Sequence, residues 1–286
     1  MTETETLASI KRVGWWSDHE NHPYFRLSVQ EYIDEFCGWK ALTELINLIP
    51  SGIQRSFFVT MFQTGGRALE VLLLKKDNFT VMPDEGIIKI TDMRLLKKYK
   101  KLDGYLDSEG KNRWHTLKLF KKRKTFTIQR REPFTPILEA HLESIKQPEA
   151  YLFPSPYSHR RQFKKNHALD KDLQDVNGKV PYSVVWAYLN IRQVSSLAPV
   201  SLKQKLGLMT PLIDEETGKV ISDEIHLWLH WFRSQKACQL ANDYNFDAMD
   251  LLDYFSWTNI ETPIRYAKKG WHSLTEKMNK AQVNYA

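Results

Sequence analysis

Four short stretches carry side chains suited to chemistry on a phosphate ester: His230-Trp231-Phe232-Arg233, Phe255-Ser256-Trp257, Tyr266, and far upstream Thr64-Gly65-Gly66-Arg67. A guanidinium stays charged at physiological pH and pairs with two phosphate oxygens at once. A phenol hydroxyl can attack phosphorus and hold it as an ester. An imidazole, with an unperturbed pKa of about 6.5, can carry a proton or donate to phosphate. Breaking a phosphodiester without a metal needs such functions together: fixed positive donors for the non-bridging oxygens, an in-line hydroxyl, and a proton for the leaving 5′ oxygen. Taken singly, these residues are ordinary. A lone tyrosine is usually core or surface, His-x-x-Arg usually marks the polar face of a helix, and Trp257 between Phe255 and Ile260 is most cheaply a packing residue.

Order and spacing set them apart. TGGRALE (Thr64 to Glu70), HWFR (His230 to Arg233), Trp257 and Tyr266 resemble the signature of the tyrosine recombinases, the phage-integrase family. That signature runs T-G-x-R-x-x-E, then H-x-x-R, then a His or Trp, then a Tyr nucleophile. Trp257 follows Arg233 by 24 positions and Tyr266 follows Trp257 by nine, both in keeping with the family. The resemblance covers roughly residues 40 to 280. It implies that Arg67 and Arg233 clamp the scissile phosphate and that Tyr266 attacks it, with His230 assisting. A 3′-phosphotyrosine and a free 5′-hydroxyl result. Because the phosphotyrosine preserves the bond energy, rejoining needs neither metal nor ATP, and no cofactor is expected. Trp257 stands where many members have His; its indole N–H can donate to phosphate but cannot shuttle a proton. The family also uses a lysine on a strand hairpin as general acid. Typical spacing from Arg67 lands on Lys97 or Lys98; with the loop after Lys101 inserted earlier, Lys121 or Lys122 takes that role. Phe255-Ser256 departs from the commoner Leu-Gly, a change of packing rather than of chemistry.

The implied activity is site-specific recombination on double-stranded DNA, with self-assembly into a tetramer and an accessory DNA-binding protein as a further partner. Two alternatives share the scaffold or the chemistry: an inactive or regulatory DNA-binding protein, and a DNA-relaxing enzyme of the type IB topoisomerase kind. The family's N-terminal helical clamp domain has too little sequence here before the first helix. The chain is thus expected to bind weakly, to need a partner, or to read its site through the insertions.

Composition agrees with a polyanionic partner. The chain of 286 residues carries a formal charge of +7 and a pI of about 9.1. Lysine and arginine interleave with aromatics in LLKKYKK (Leu95 to Lys101), LKLFKKRK (Leu117 to Lys124) and HRRQFKK (His159 to Lys165), as phosphate-contacting surfaces often do. Cys37 and Cys238 stand far apart without a metal-ligand pattern and fit a reducing, cytoplasmic setting. The pair His19 and His22 lacks matching Cys or carboxylate ligands. No apolar run is long enough to span a bilayer, and MTETETLASIKR is unlike a secretory signal.

The elements that must position these residues read as mostly α with a small antiparallel β-sheet, an α+β arrangement. Residues 1–37 form an N-terminal arm, and 38–286 an integrase-like catalytic domain with insertions near 102–117 and 155–223. Leu42, Leu45, Ile46 and Ile49 predict a helix. Phe58, Met61 and Phe62 predict a second, broken at Gly65-Gly66 before Leu69, Leu72 and Leu73. Phe79–Val81, Gly86–Met93, Leu95–Lys101 and Thr125–Gln129 read as strands, with a loop from Asp103 to Gly110. Helices are expected around Leu138 and Leu142, over Tyr182–Leu197, from Ser222-Asp223-Glu224 through His230 and Arg233, over Asp247–Phe255, and beyond Ser273. Residues 198–223 read as irregular.

Overall fold

Leu42, Leu45, Ile46 and Ile49 all point inward from α1 (Trp39–Asn47) and the turn after it, as their three- and four-residue spacing requires. A computed structural model describes residues 36–50, 52–106, 112–156, 179–208, 212–213, 220–222, 227–264 and 266–267; for 96–106, 112–121, 212–213 and 220–222 it describes the backbone alone. After Pro50 the chain enters α2 (Gly52–Thr64), which is buried on every side from Ser56 to Thr64. Phe57, Phe58 and Phe62 lie wholly inside, against Phe153, Phe232 and Phe134. Each such ring stabilises the fold by roughly 1.5–3 kcal/mol. The Gly65-Gly66 break falls where the sequence puts it, and α3 (Ala68–Leu72) follows.

β1 (Phe79–Met82), β2 (Ile87–Leu106) and β3 (Asn112–Gln129) form a three-stranded antiparallel sheet in that order. Two sequence expectations change here. The segments Gly86–Met93 and Leu95–Lys101 are not separate strands. They belong to one long β2 whose pairing shifts between Ile90 and Met93, where Asp92 adopts φ 61°, and again between Leu95 and Lys97. A bulge bends a strand without ending it, which is why the pattern looks interrupted. The loop expected from Asp103 is strand as far as Leu106: Leu102 pairs with Trp114 and Leu106 with Asn112, so β2 and β3 extend as a ribbon. Ile88, Ile90, Met93 and Leu95 on β2, with Phe126 and Ile128 on β3, line the face against the helices.

α4 (Thr135–Ser144) follows with Pro136 near its start, and α5 (Val184–Leu197) is capped by Ser183. Residues 198–223 are less irregular than expected: α6 (Val200–Lys205) buries Leu202, and β4 (Leu212–Ile213) pairs with β5 (Val220–Ser222). That pairing also corrects the next helix. Ser222 is a strand residue, and α7 runs Leu229–Asp243 with Trp228 at its N-cap, so the acidic residues after Ser222 do not open it. α7 is buried from Trp231 to Ala241 and stacks Phe232 on Phe58 of α2. α8 (Ala248–Phe255) is capped by Asp247, whose carboxylate accepts from Met249 N and Asp250 N, and α9 (Glu261–Ile264) precedes Tyr266. Among the described residues, no helix is long and apolar enough to cross a membrane. The N-terminal arm through Glu35, the basic run at 159–165 and the helix expected beyond Ser273 lie outside the described residues.

Candidate functional site

The turn between α2 and α3 begins with Thr64, whose hydroxyl donates to Thr60 O at 2.7 Å and accepts from Gly66 N at 3.0 Å. Gly65 turns the chain at φ 60°, and a Cβ there would lie 2.4 Å from Phe255 Cε1. At Gly66 a Cβ would lie 2.4 Å from Met93 Cε and 2.8 Å from Val71 Cγ2. Both glycines thus let the turn press against α8 and the sheet, which is the reason the helical pattern breaks here.

That turn delivers Arg67 to Glu70. The fully buried Glu70 carboxylate accepts from Arg67 N at 2.7 Å and from Arg67 Nη1 at 2.8 Å, while the arginine side chain stays 39% exposed. Oε2, the oxygen that accepts from Arg67 N, also faces Arg233, whose Nη1 lies 4.0 Å away. Arg233 itself is buried. Its Nη1 donates to Gly65 O at 2.6 Å and its Nη2 to Phe255 O at 3.2 Å, and its guanidinium carbon lies 4.6 Å from the Phe255 ring centre. Its Nε–H has no acceptor among the described residues. Burial, and then the opposing pull of Glu70 and push of Arg67, bring the Arg233 pKa down to about 10, so it remains a cation at neutral pH. Two guanidiniums from opposite ends of the chain therefore share one carboxylate.

A lysine not among those singled out from the sequence completes this cluster. Lys124 continues the inward alternation of Ile128 and Phe126 on β3, opposite Met93. Its ammonium sits 4.0 Å from the Tyr254 ring centre and 4.3 Å from that of Phe126. Desolvation there, followed by repulsion from Arg233 and against attraction from Glu70, lowers its pKa to about 7. The period-two pattern of Thr125 to Gln129, carried two residues further back, contained the signal. Of the expected candidates, Lys122 is exposed, and the side chains of Lys97, Lys98 and Lys121 lie outside the described residues; Lys97 pairs by its backbone with Leu119.

Trp257 and Tyr266 lie beside Arg233. The rings form a stack: Phe255 on Trp257 with centres 4.5 Å apart, and Trp257 on Tyr266 at 5.5 Å with planes 9° apart. Trp257 thus packs between the two, with the Arg233 guanidinium 5.4 Å from its ring centre. Tyr266 is 7% exposed, and its hydroxyl lies 3.3 Å from Ser234 Oγ on α7. His230, in the first turn of α7, is exposed and stands one turn before Ser234. Arg67, Arg233, Trp257 and Tyr266 are thus drawn to one region, with Lys124 and Glu70 added.

No protein-family model matches the sequence, and no curated protein matches it. Solved structures do. XerA recombinase shares 16% identity at a TM-score of 0.43, over 85% of this chain and 64% of that one. The Tn1549 transposon integrase in complex with circular intermediate DNA shares 13% at 0.43, over 85% of this chain and 66% of that one. XerH site-specific recombinase bound to difH substrate shares 13% at 0.44, over 97% and 70%. The similarity is to tyrosine recombinases. This chain spans less than two thirds of the tyrosine recombinases XerA and Tn1549 integrase as solved.

Proposed function

We propose that this chain is a site-specific DNA recombinase that cuts a strand through Tyr266 and rejoins it without metal or ATP. The observation that carries the reading is the meeting of Arg67 and Arg233 at Glu70, with Lys124 and Tyr266 close enough to perturb or be perturbed by Arg233. In this reading Arg67 and Arg233 hold the non-bridging oxygens of the scissile phosphate. Tyr266 Oη attacks phosphorus as the bond to the 5′ oxygen breaks. The phenol proton passes to His230, and Lys124 gives a proton to the 5′ oxygen, becoming a neutral amine. A 3′-phosphotyrosine and a 5′-hydroxyl remain. Attack by the 5′-hydroxyl of a second strand reverses each transfer and restores the phosphodiester. A lysine titrating at about 7 suits an acid that must give up its proton at neutral pH. Exchange between two duplexes calls for several copies of the chain on DNA, and a tetramer is the assembly we propose.

Tyr266 must first leave Ser234 and become accessible to DNA. Its burial, and the use of two Arg233 donors on backbone carbonyls, favour a second reading: a DNA-binding protein on this scaffold that does not cleave. Incubation with a pool of random-sequence duplexes carrying nicks separates the two. The recombinase reading expects a protein–DNA adduct that survives SDS, absent in Tyr266→Phe although that variant still binds the pool. Binding without any adduct in the wild type supports the second reading instead.

A further inference from the structure

α7 carries both His230 and Arg233, yet its own pattern does little to set its rotation. A helix with one apolar stripe is oriented by that stripe. From Trp231 to Ala241 every residue of α7 is buried, polar and apolar alike. A slip of one residue turns a helix by about 100° and would carry Arg233 away from Gly65 O and Phe255 O.

One turn beyond Arg233, Lys236 makes a second charged anchor of this helix. Its Nζ donates to Glu132 Oε1 at 2.9 Å and Oε2 at 3.1 Å, with both side chains buried. Tyr244, just past the end of α7, donates its hydroxyl to Glu132 Oε1 at 3.1 Å. The ammonium also lies 5.3 Å from the Phe62 ring centre on α2. Glu132 is fixed in its turn: its N–H donates to Gln129 O at 3.2 Å and its carbonyl accepts from Thr135 N at 3.1 Å. That turn ends β3, the strand of Lys124. Phe62 stands just before the turn that presents Arg67. The ion pair therefore joins the three carriers of the cationic site.

Stability does not account for such a pair. Two charges removed from water lose several kcal/mol of hydration each, and apolar replacements are often as stable or more so. Burial does oppose the charged form of Lys236, against the pull of Glu132. What an ion pair has over apolar packing is a single direction and length. We propose that the Lys236–Glu132 pair, secured by Tyr244, fixes the rotation of α7 and so sets Arg233 against Lys124. Lys236 and Glu132 are positioning residues, neither touching DNA; the consequence for cleavage rests on the recombinase reading.

The test replaces the pair by apolar residues, Lys236→Met with Glu132→Leu, and by a hydrogen-bonded amide pair, Lys236→Gln with Glu132→Gln. Two readouts are taken with a thermal melt. One is adduct formation on the nicked duplex pool. The other is the titration of Lys124 in the free protein, followed by the NMR signal of its ¹³C-labelled ε-carbon and assigned with Lys124→Arg. Arg233 helps to hold Lys124 down, alongside the surrounding Phe126, Tyr254 and Phe255 and against Glu70, so displacing Arg233 raises the midpoint. We expect the apolar pair to fold, to lose about 100-fold in adduct formation, as a misplacement of an ångström would, and to raise the Lys124 midpoint by about half a unit or more. The amide pair should restore both. A folded apolar variant with the wild-type midpoint overturns the proposal, whatever its activity. A wild type that forms no adduct counts against the recombinase reading alone, since the midpoint still decides the positioning. Should the apolar variant not fold, Tyr244→Phe carries the test: a smaller rise in midpoint is expected, and an unmoved midpoint overturns the proposal.

Discussion

If Lys124 protonates the leaving 5′ oxygen, its loss should be repaired by a leaving group that needs no proton. Lys124→Met keeps the length and apolar body of the side chain against Phe126 and Tyr254 and removes only the ammonium. Removing a general acid typically costs about 10²–10⁴ in rate, or roughly 3–5 kcal/mol in the barrier. The upper part of that range is expected, because a pKa of about 7 means the proton is readily released at neutral pH. The assay is single-turnover adduct formation on two matched duplexes, one with the normal 5′-bridging oxygen and one with sulfur there. A thiolate leaves without protonation, its conjugate acid having a pKa of about 8.5. The variant should fail on the oxygen duplex and approach wild type on the sulfur duplex. An equal loss on both would refute the role. Lys97→Met run in parallel tests the residue reached by spacing from Arg67.

Three further outcomes follow from the same geometry. Arg67→Ala should slow cleavage by about 10²–10³ and lower the melting temperature, since the fully buried Glu70 carboxylate loses its Nη1 donor. Arg233→Ala should slow cleavage to a similar degree and also lower the melting temperature, because Gly65 O and Phe255 O lose their buried donor; unchanged single-turnover rates in both would contradict the clamp. Gly65→Ala should destabilise by roughly 2–4 kcal/mol, joining a left-handed backbone to a clash with the Phe255 ring beneath Arg233; denaturant melts giving wild-type stability would contradict the packing. Stability should also depend on pH through Lys124. Its folded pKa of about 7 lies below the ordinary 10.5, so between those values the unfolded chain holds the extra proton and stability rises with pH. Lys124→Met removes that deficit, which is fully present below the lower value. Its melting temperature relative to wild type should therefore be higher at about pH 6 than at about pH 10, and an equal difference at both would count against a depressed Lys124.

The parts of this fold legible in the sequence are those where local pattern and tertiary need coincide. The spacing of Leu42, Leu45 and Ile46 marks α1, and paired glycines mark the turn before Arg67. Asp247 before the apolar-rich Ala248–Phe255 marks α8. Where the two diverge, pattern misleads. Asp223 and Glu224 look like a helix start, but α7 begins at Leu229 under a tryptophan cap with no side-chain hydrogen bond, held by burial rather than by capping. Lys124 sits in a basic run that suggests a solvated face, and only the alternation of the strand after it turns it inward. The Glu132 partner of Lys236 is 104 residues distant, and no local signal joins them. The burial of Tyr266 against Ser234 and Trp257 belongs to the same class, since it depends on three elements meeting.

Whether Tyr266 becomes bonded to DNA can be read by mass spectrometry. The adduct formed on the nicked duplex pool is digested with protease and nuclease, and the modified peptide is sequenced. The recombinase mechanism requires a nucleotide attached through a 3′-phosphate to Tyr266, with a free 5′-hydroxyl on the released strand. A nucleotide on any other residue, or a 5′-phosphate attachment, would contradict it.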